Sequence, residues 1–271
     1  MGILNATPNS FYSKFPSFEE AIEQGKKLIA DGANILDIGG EPSWPGALPI
    51  SEAEELARVI PLIKELHSLI PISVDTTKAD VAVAAIEAGA TLINDITGFQ
   101  NPAMLEVAAS YDVDLCVMHM QGTPQTMQVN PSYPEGVVPT LLGWFEERVG
   151  VLLQKGVKKS RIILDPGIGF GKTVAHNLEI LQNLPQFRAL GFPLLIGISR
   201  KSFMGKILGK KAPDLLPATL AINAHLIMSQ VDFIRVHDVK EHKDAVDVLK
   251  QLQVFGVKDG GICSNMVGSC S

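Results

Sequence analysis

Eight short apolar runs alternate with stretches of helical spacing along the chain, and this rhythm restricts the fold more than any other feature. The runs are Gly2–Asn5, Ile35–Gly40, Pro71–Asp75, Thr91–Thr97, Asp114–His119, Arg161–Gly167, Leu194–Arg200 and Phe233–Val239. They are nearly continuous in Ile, Leu and Val, the pattern of strands buried on both faces, as in a parallel sheet. The intervening stretches open on helix starts such as Ser17-Phe18-Glu19-Glu20 and Ser51-Glu52-Ala53-Glu54, where the serine can accept from the amide three residues on. Helical spacing continues over Lys78–Ala88, Pro102–Ser110, Thr140–Leu153, Ala175–Leu184, Leu216–Met228 and His242–Leu252. Gly32, Gly89, Gly156 and Gly191 stand where C-terminal caps belong.

Polar markers near the ends of the runs are Asn5, Asp37, Asp75, Asp95, His119, Asp165, Ser199 and Arg235, spaced about 33 residues apart on average. Eight βα units of that size fill a 271-residue chain. The sequence therefore predicts an α/β fold, a (β/α)8 TIM barrel spanning residues 1–257 as a single domain. An open doubly wound sheet is the alternative. It would carry a dinucleotide fingerprint near its first strand, and the sequence has none. Gln121–Tyr133 reads as a long loop. Lys258–Ser271 has no periodicity and reads as a disordered tail. The first strand starts almost at residue 1, which suggests that the chain is part of a longer protein.

Composition removes several classes of function. Lys and Arg total 23 against 29 Asp and Glu, a net charge of −6, which argues against a nucleic-acid partner. No apolar run approaches the length of a membrane span, and the chain opens without a basic leader. Met1-Gly2 does not match a myristoylation signal, because Ala6 stands where Ser or Thr is wanted. Cys116, Cys263 and Cys270 form no disulfide framework or metal pattern. These features together predict a cytoplasmic protein, with Cys116 a small buried residue.

A barrel of this kind carries its active site at the C-terminal ends of its strands. Those ends bear Asn5, Glu41, Asp75, Asn94 with Asp95, His119, Asp165, Arg200 with Lys201, and Arg235 with His237. Eight runs delivering polar groups to one rim exceed what chain punctuation requires. Asp75, Asn94 and Asp165 form an acceptor-rich side suited to a planar ligand with several N–H donors, each charge-assisted bond contributing roughly 1.5–3 kcal/mol. Lys201, Arg235 and His237, beside Asn5 once the ring closes, form a cationic side suited to a phosphate. The expected ligand is a small heteroaromatic molecule with a phosphate or pyrophosphate tail.

Asp165-Pro166-Gly167-Ile168-Gly169-Phe170-Gly171-Lys172-Thr173 looks like a nucleotide loop, but Pro166 breaks the Walker A pattern and Lys172 breaks GxGxxG. It reads as a glycine-rich turn that lets a ligand approach the backbone, with Phe170 either a stacking surface or a core residue. His237 follows Arg235 with strand alternation, so both point the same way. His119 is balanced between site wall and structural role. Asp95 should face the helices and be structural, as should Asp80. No His and carboxylate pattern indicates a tightly held metal; any ion would be a weakly held Mg2+ accompanying the phosphates.

These residues resemble those of the dihydropteroate synthases, in order, from Gly2 to about Val239. The resemblance rests on Gly2-Ile3-Leu4-Asn5-Ala6-Thr7-Pro8, Asp37-Ile38-Gly39-Gly40-Glu41, Val74-Asp75-Thr76, Asn94-Asp95-Ile96, Asp165 through Thr173, Ser199-Arg200-Lys201-Ser202-Phe203 and Arg235-Val236-His237-Asp238. It implies a folate-pathway transferase that joins 6-hydroxymethyl-7,8-dihydropterin diphosphate to 4-aminobenzoate, releasing pyrophosphate. By position, Asp75, Asn94, Asp165, Lys201 and Phe170 would hold the pterin, with Lys201, Asp75 and Asp165 as the catalytic set. Asn5, Ser43, Arg235 and His237 would hold the diphosphate, with Mg2+ as cofactor at Asn5. Ser43, Pro45, Phe170, Lys201 and Ser202 would border the aminobenzoate. The resemblance also implies a homodimer, and leaves room for another folate-pathway enzyme fused to or acting beside this chain.

The sequence departs from the family pattern in two loops. Glu41-Pro42-Ser43-Trp44-Pro45-Gly46 stands where Glu-Ser-Thr-Arg-Pro-Gly is usual, and Asn9 stands where Asp is usual. Trp44 cannot supply the anion contact of an Arg. Two alternatives therefore accompany the synthase reading. One is a pterin-binding homologue with weak or no synthase activity. The other is a methyltetrahydrofolate methyltransferase, disfavoured by the basic residues on the last two strands.

Overall fold

The computed structural model describes residues 1–6 and 17–255. Thr7, Pro8 and Asn9 of the first loop, and the 258–271 tail, lie outside the described residues. β1 (Gly2–Asn5) is followed by α1 (Phe18–Ala30), β2 (Leu36–Gly39), α2 (Glu52–Leu66), β3 (Ile72–Asp75) and α3 (Ala79–Glu87). Then come β4 (Leu92–Asp95), α4 (Pro102–Ser110), β5 (Asp114–Met118), α5 (Val137–Gln154), β6 (Ile162–Asp165) and α6 (Val174–Gln182). The chain continues through α7 (Leu184–Arg188), β7 (Leu195–Ile196), α8 (Ser202–Leu208), α9 (Leu216–Met228), β8 (Phe233–Ile234) and α10 (Val239–Phe255).

Strands β1 to β6 pair in parallel in chain order, and β7 pairs with β8. Bridges between Leu164 and Leu194 and between Gly2 and Val236 join the two sheets. The Ile3 amide donates to the Val236 carbonyl at 3.0 Å, and the Val236 amide donates to the Met1 carbonyl at 2.9 Å. The eight strands therefore close into a barrel, as the rhythm of the sequence predicts.

Successive strand residues alternate between barrel interior and helix layer. Leu4, Ile38, Val74, Ile93, Leu115, Val117, Ile162, Leu164 and Ile196 face outward into the main core beneath the helices. Inward, Leu92, Cys116, Ile163 and Leu195 pack with Met1 and Phe233 into an apolar plug. Two residues further along several of the same strands the interior becomes polar, with Asn94, Asp165 and Arg235. The uniform apolar reading of the runs is correct for the outward face and for the plug. Above the plug the inward face carries the chemistry.

The serine half of each expected capping box forms, without the reciprocal glutamate bond. Ser17 accepts from the Glu20 amide and Ser51 from the Glu54 amide, and the four cap glycines all have positive φ. Two helices were not legible in the sequence. Pro185, in the first turn of α7, restarts a helix after Asn183 ends α6. The Leu194–Arg200 run pairs with β8 only over Leu195–Ile196, because Gly197 to Lys201 turns out of the barrel and launches α8. Arg200 sits in that turn with φ of 55°, held by its amide donating to Thr219 Oγ1 at 3.1 Å and its guanidinium donating to both Asp238 oxygens.

Candidate functional site

The polar layer above the plug centres on Arg235. Its Nε donates to Asp37 Oδ2 at 2.5 Å and its Nη2 to Asp75 Oδ2 at 2.8 Å. Ser73 Oγ donates to the other oxygen of Asp37 at 2.5 Å, and Asn94 Nδ2 approaches Asp37 Oδ2 at 3.3 Å. Asp37 is fully buried. Strand register places Gly39 beside Asp75 and Asp75 beside Asn94, so the cluster spans three adjacent strands and reaches across to the chain after β8. Burial pushes the Asp75 carboxyl above its ordinary range, Arg235 opposes that shift and the charge on Asp37 reinforces it. Asn94 Oδ1 is buried and has no hydrogen-bond partner. A buried acceptor without a donor is costly, and a ligand N–H would satisfy it.

This arrangement corrects the divided ring. Arg235 does not stand with a separate cationic group, because two carboxylates surround its guanidinium and make the cluster at best neutral. Lys201 lies instead along the glycine turn after β6. Its Nζ donates to the Ile168 carbonyl and sits 4.7 Å from the centre of the Phe170 ring. Burial brings the Lys201 ammonium down to about 8, against the pull of the Asp165 carboxylate. Burial likewise raises the Asp165 carboxyl, with Lys201 opposing. Asp165 and Lys201 thus lie near enough on the acceptor side for each charge to oppose the other's shift.

The turn itself is dictated by glycine. Gly167 has φ of 67°, and its amide donates to Asp165 Oδ1 at 2.8 Å. A Cβ at Gly167 would lie 2.0 Å from the His119 carbonyl oxygen. Gly167→Ala should therefore cost at least about 3 kcal/mol of stability and displace Asp165. Chemical denaturation of the variant measures this, and a loss under about 1 kcal/mol would count against the account of the turn. Phe170 is half-buried and packs against Ile96, Met118, Met120 and Met127, a small cluster separate from the main core. It is not a core residue beneath the helices. His119 is structural: it is buried edge-on to Trp144 and takes Lys172 Nζ at 3.1 Å on Nδ1. Burial and the Lys172 charge lower its pKa to about 3.

Across the ring, His237 Nδ1 lies 2.9 Å from Ser199 Oγ, which also accepts from the His237 amide at 3.2 Å. Burial, then Arg235, lowers the imidazole to about 4, so it is neutral at pH 7 and contributes no cation. Asn5 ends β1 and is half-buried, paired with Gly39. Ser43 and Pro45 stand on the loop between β2 and α2, with Trp44 exposed between them, and Ser202 opens α8. The Gly46 amide of that loop donates to the Pro124 carbonyl at 2.9 Å, linking it to the loop after β5. Among the described residues, no hydrogen bond ties Ser43, Pro45 or Ser202 to the inward cluster. Asp95 is structural as expected, accepting from the amides of Thr97 and Phe99.

Sequence reasoning missed Asp37, Ser73 and Ser199 as members of the site. A signal existed for Asp37: a carboxylate inside the apolar run Leu36-Asp37-Ile38 must be paired when buried, and Arg235 is an inward cation on a facing strand. Among the described residues, no group of three His, Cys, Asp or Glu could hold a metal, and no helix is long and apolar enough to cross a membrane.

Comparison with known proteins places this geometry among relatives. A family model described as pterin binding enzyme matches residues 1–237. The chain is 42% identical over 252 residues to a dihydropteroate synthase of Haemophilus influenzae, covering 92% of this chain and 91% of that one. It is also 42% identical over 265 residues to a folic acid synthesis protein of Schizosaccharomyces pombe, covering 93% of this chain and 36% of that one. A crystal structure of Yersinia pestis dihydropteroate synthase in a sulfonamide drug complex superposes with a TM-score of 0.90 at 38% identity, covering 93% of each chain.

Proposed function

The chain belongs to the pterin binding enzyme family, in its dihydropteroate synthase branch, and from that premise we propose how its rim divides the work. The reaction condenses 6-hydroxymethyl-7,8-dihydropterin diphosphate with 4-aminobenzoate. The amine nitrogen attacks the methylene carbon, the bond from that carbon to the diphosphate oxygen breaks, and the amine proton passes to solvent. The products are 7,8-dihydropteroate and pyrophosphate. No side-chain nucleophile is needed; the protein positions both substrates and stabilises charge.

The pterin ring is assigned to Asp165, Asn94, Asp75 and Lys201, with Phe170 against its edge. The single observation carrying this is the buried, partnerless Asn94 Oδ1, flanked along the ring by Asp75 and Asp165. Asp75 spends one oxygen on Arg235, so it both receives substrate and fixes the guanidinium. Lys201 borders pterin and aminobenzoate together, with Ser43, Pro45 and Ser202 completing the aminobenzoate side. Mass spectrometry of the product from both substrates tests the overall reading: 7,8-dihydropteroate supports it, and its absence contradicts it.

The diphosphate is assigned to Asn5, Ser43, Arg235 and His237. With Arg235 neutralised by Asp37 and Asp75 and His237 uncharged, the charge balance there calls for an added cation. The amide oxygen of Asn5 is a hard donor of the kind Mg2+ takes, so Mg2+ fits as an ion shared with the substrate phosphates. When bound it neutralises the leaving diphosphate. Chelation with EDTA should weaken calorimetric binding of the pterin diphosphate by about tenfold or more and leave binding of the uncharged pterin alcohol unchanged. Equal effects on both would remove the metal from the proposal.

The Lys201 value sets a pH dependence. Below about 8 the ammonium carries its proton; above it the charge is lost. Because kcat/KM reports groups of the free enzyme, kcat/KM for the pterin diphosphate should fall as pH rises through about 8. Lys201→Arg, which stays charged, should remove that break. A break that persists in the variant would assign it to another group.

A homodimer is part of the proposal, supported by exposed Ile207 and Leu208 of α8, Met228 of α9 and Val248 and Leu252 of α10; sedimentation of the purified chain tests it. A cytoplasmic setting is supported by Cys116, a buried free thiol. Association with a further folate enzyme is supported by the fission yeast relative, whose chain extends well beyond the matched region.

A further inference from the structure

We propose that Lys78 is a positioning residue that, through Glu41, fixes the loop between β2 and α2 to the end of β3. Lys78 Nζ lies 2.6 Å from Glu41 Oε2 and also donates to Glu55 Oε2. The same Glu41 oxygen accepts from the Ile50 amide at 2.9 Å. One carboxylate oxygen thus closes the loop from 41 to 50 at its base and ties that base to Lys78. Lys78 itself follows Asp75 by three residues on the segment leaving β3.

The third member anchors the tether in the fold. Glu55 sits in the first turn of α2 and is fully buried. A Cβ at Gly40 would meet Glu55 Cγ at 3.0 Å and Val59 Cγ1 at 2.9 Å, so the strand end packs directly on this helix turn. Arg58 donates to the Gly40 carbonyl at 2.7 Å from the same helix. One ammonium therefore joins the loop, the helix and the end of β3. Burial opposes the charge on Lys78, but the hydrogen bonds it donates to Glu41 and Glu55 outweigh it and raise its pKa.

The cluster is a poor device for stability. Two carboxylates share one ammonium, and Glu55 Oε1 is buried without a partner. A well-packed apolar trio would serve stability as well or better. What the charged trio adds is direction: it fixes one loop position relative to Asp75, and so relative to the pterin floor. This consequence for the reaction rests on the reading that Ser43 and Pro45 border the aminobenzoate.

The test compares the full chain with Lys78→Arg and with the double variant Lys78→Met, Glu55→Gln, which removes the buried charge that the single methionine would strand. Thermal unfolding should stay near the parent in both. In the double variant, hydrogen exchange at the Ile50 amide should quicken by about tenfold or more. KM for 4-aminobenzoate should rise by about tenfold, and KM for the pterin diphosphate, which meets the loop only through Ser43, should rise by less, on the order of threefold. Lys78→Arg should keep all three near parental values. Unchanged exchange at Ile50, or a rise in the pterin diphosphate KM alone, would overturn the tether. Faster exchange with an unchanged aminobenzoate KM would keep the tether and remove Ser43 and Pro45 from the aminobenzoate site.

Discussion

Arg235→Met should destabilise the protein by about 3–5 kcal/mol and abolish synthesis. The guanidinium is the partner of both Asp37, which is fully buried, and Asp75. Its removal strands two carboxylates of like charge in the barrel interior, beside Ser73 and Asn94 that were set around them. In a chain of this length such a loss lowers Tm by on the order of 10 °C. Adding Asp37→Asn to the variant should recover part of the stability, because one stranded charge disappears, without restoring activity. Chemical denaturation of both proteins checks this. A single variant within about 1 kcal/mol of the parent would mean that the cluster is not the electrostatic centre of the barrel.

Asp165→Ala should weaken pterin binding by at least about 100-fold, measured by calorimetry with the pterin diphosphate. Two charge-assisted hydrogen bonds from ring N–H groups would be lost, each contributing roughly 1.5–3 kcal/mol. Asp165→Asn separates this from damage to the turn. The amide keeps an oxygen for the Gly167 amide, now 2.8 Å from Asp165 Oδ1, and removes only the charge that faces Lys201. Its affinity should fall between parent and alanine variant, with Tm close to the parent. Retained tight binding in the alanine variant would remove Asp165 from the pterin site.

The barrel was legible because its rhythm is a consequence of burial. A parallel strand covered by helices outside and by a plug inside must be apolar on both faces, and eight such runs leave little choice of fold. The rim was legible for a related reason: the polar groups sit where the runs stop. What the sequence did not reveal is which partner each charge takes. Arg235 and Lys201 both lie near the ends of the last two strands and read as one cationic side. Barrel closure instead carries Arg235 over to Asp37 and Asp75, while the turn after Gly197 swings Lys201 back onto Ile168 and Phe170. These are contacts between residues 31 to 198 positions apart, and no local pattern encodes them. The neutral state of His237 was hidden for the same reason, since it follows from burial beside Arg235. Pro185 and Ser202 could have been read as helix starts, but short helices carry too few apolar positions to establish a period. Lys78 was read only as the beginning of α3, because its role depends on Glu41 and Glu55 meeting it across the loop.

The central claim is that this rim couples a pterin-acceptor cluster to departure of a diphosphate. Pyrophosphate release from the pterin diphosphate, followed with and without 4-aminobenzoate in the presence of Mg2+, tests it most directly. Release should depend on 4-aminobenzoate, match dihydropteroate formed one for one, and disappear in Asp165→Ala. Tight binding of the pterin diphosphate with no release on adding 4-aminobenzoate would contradict it.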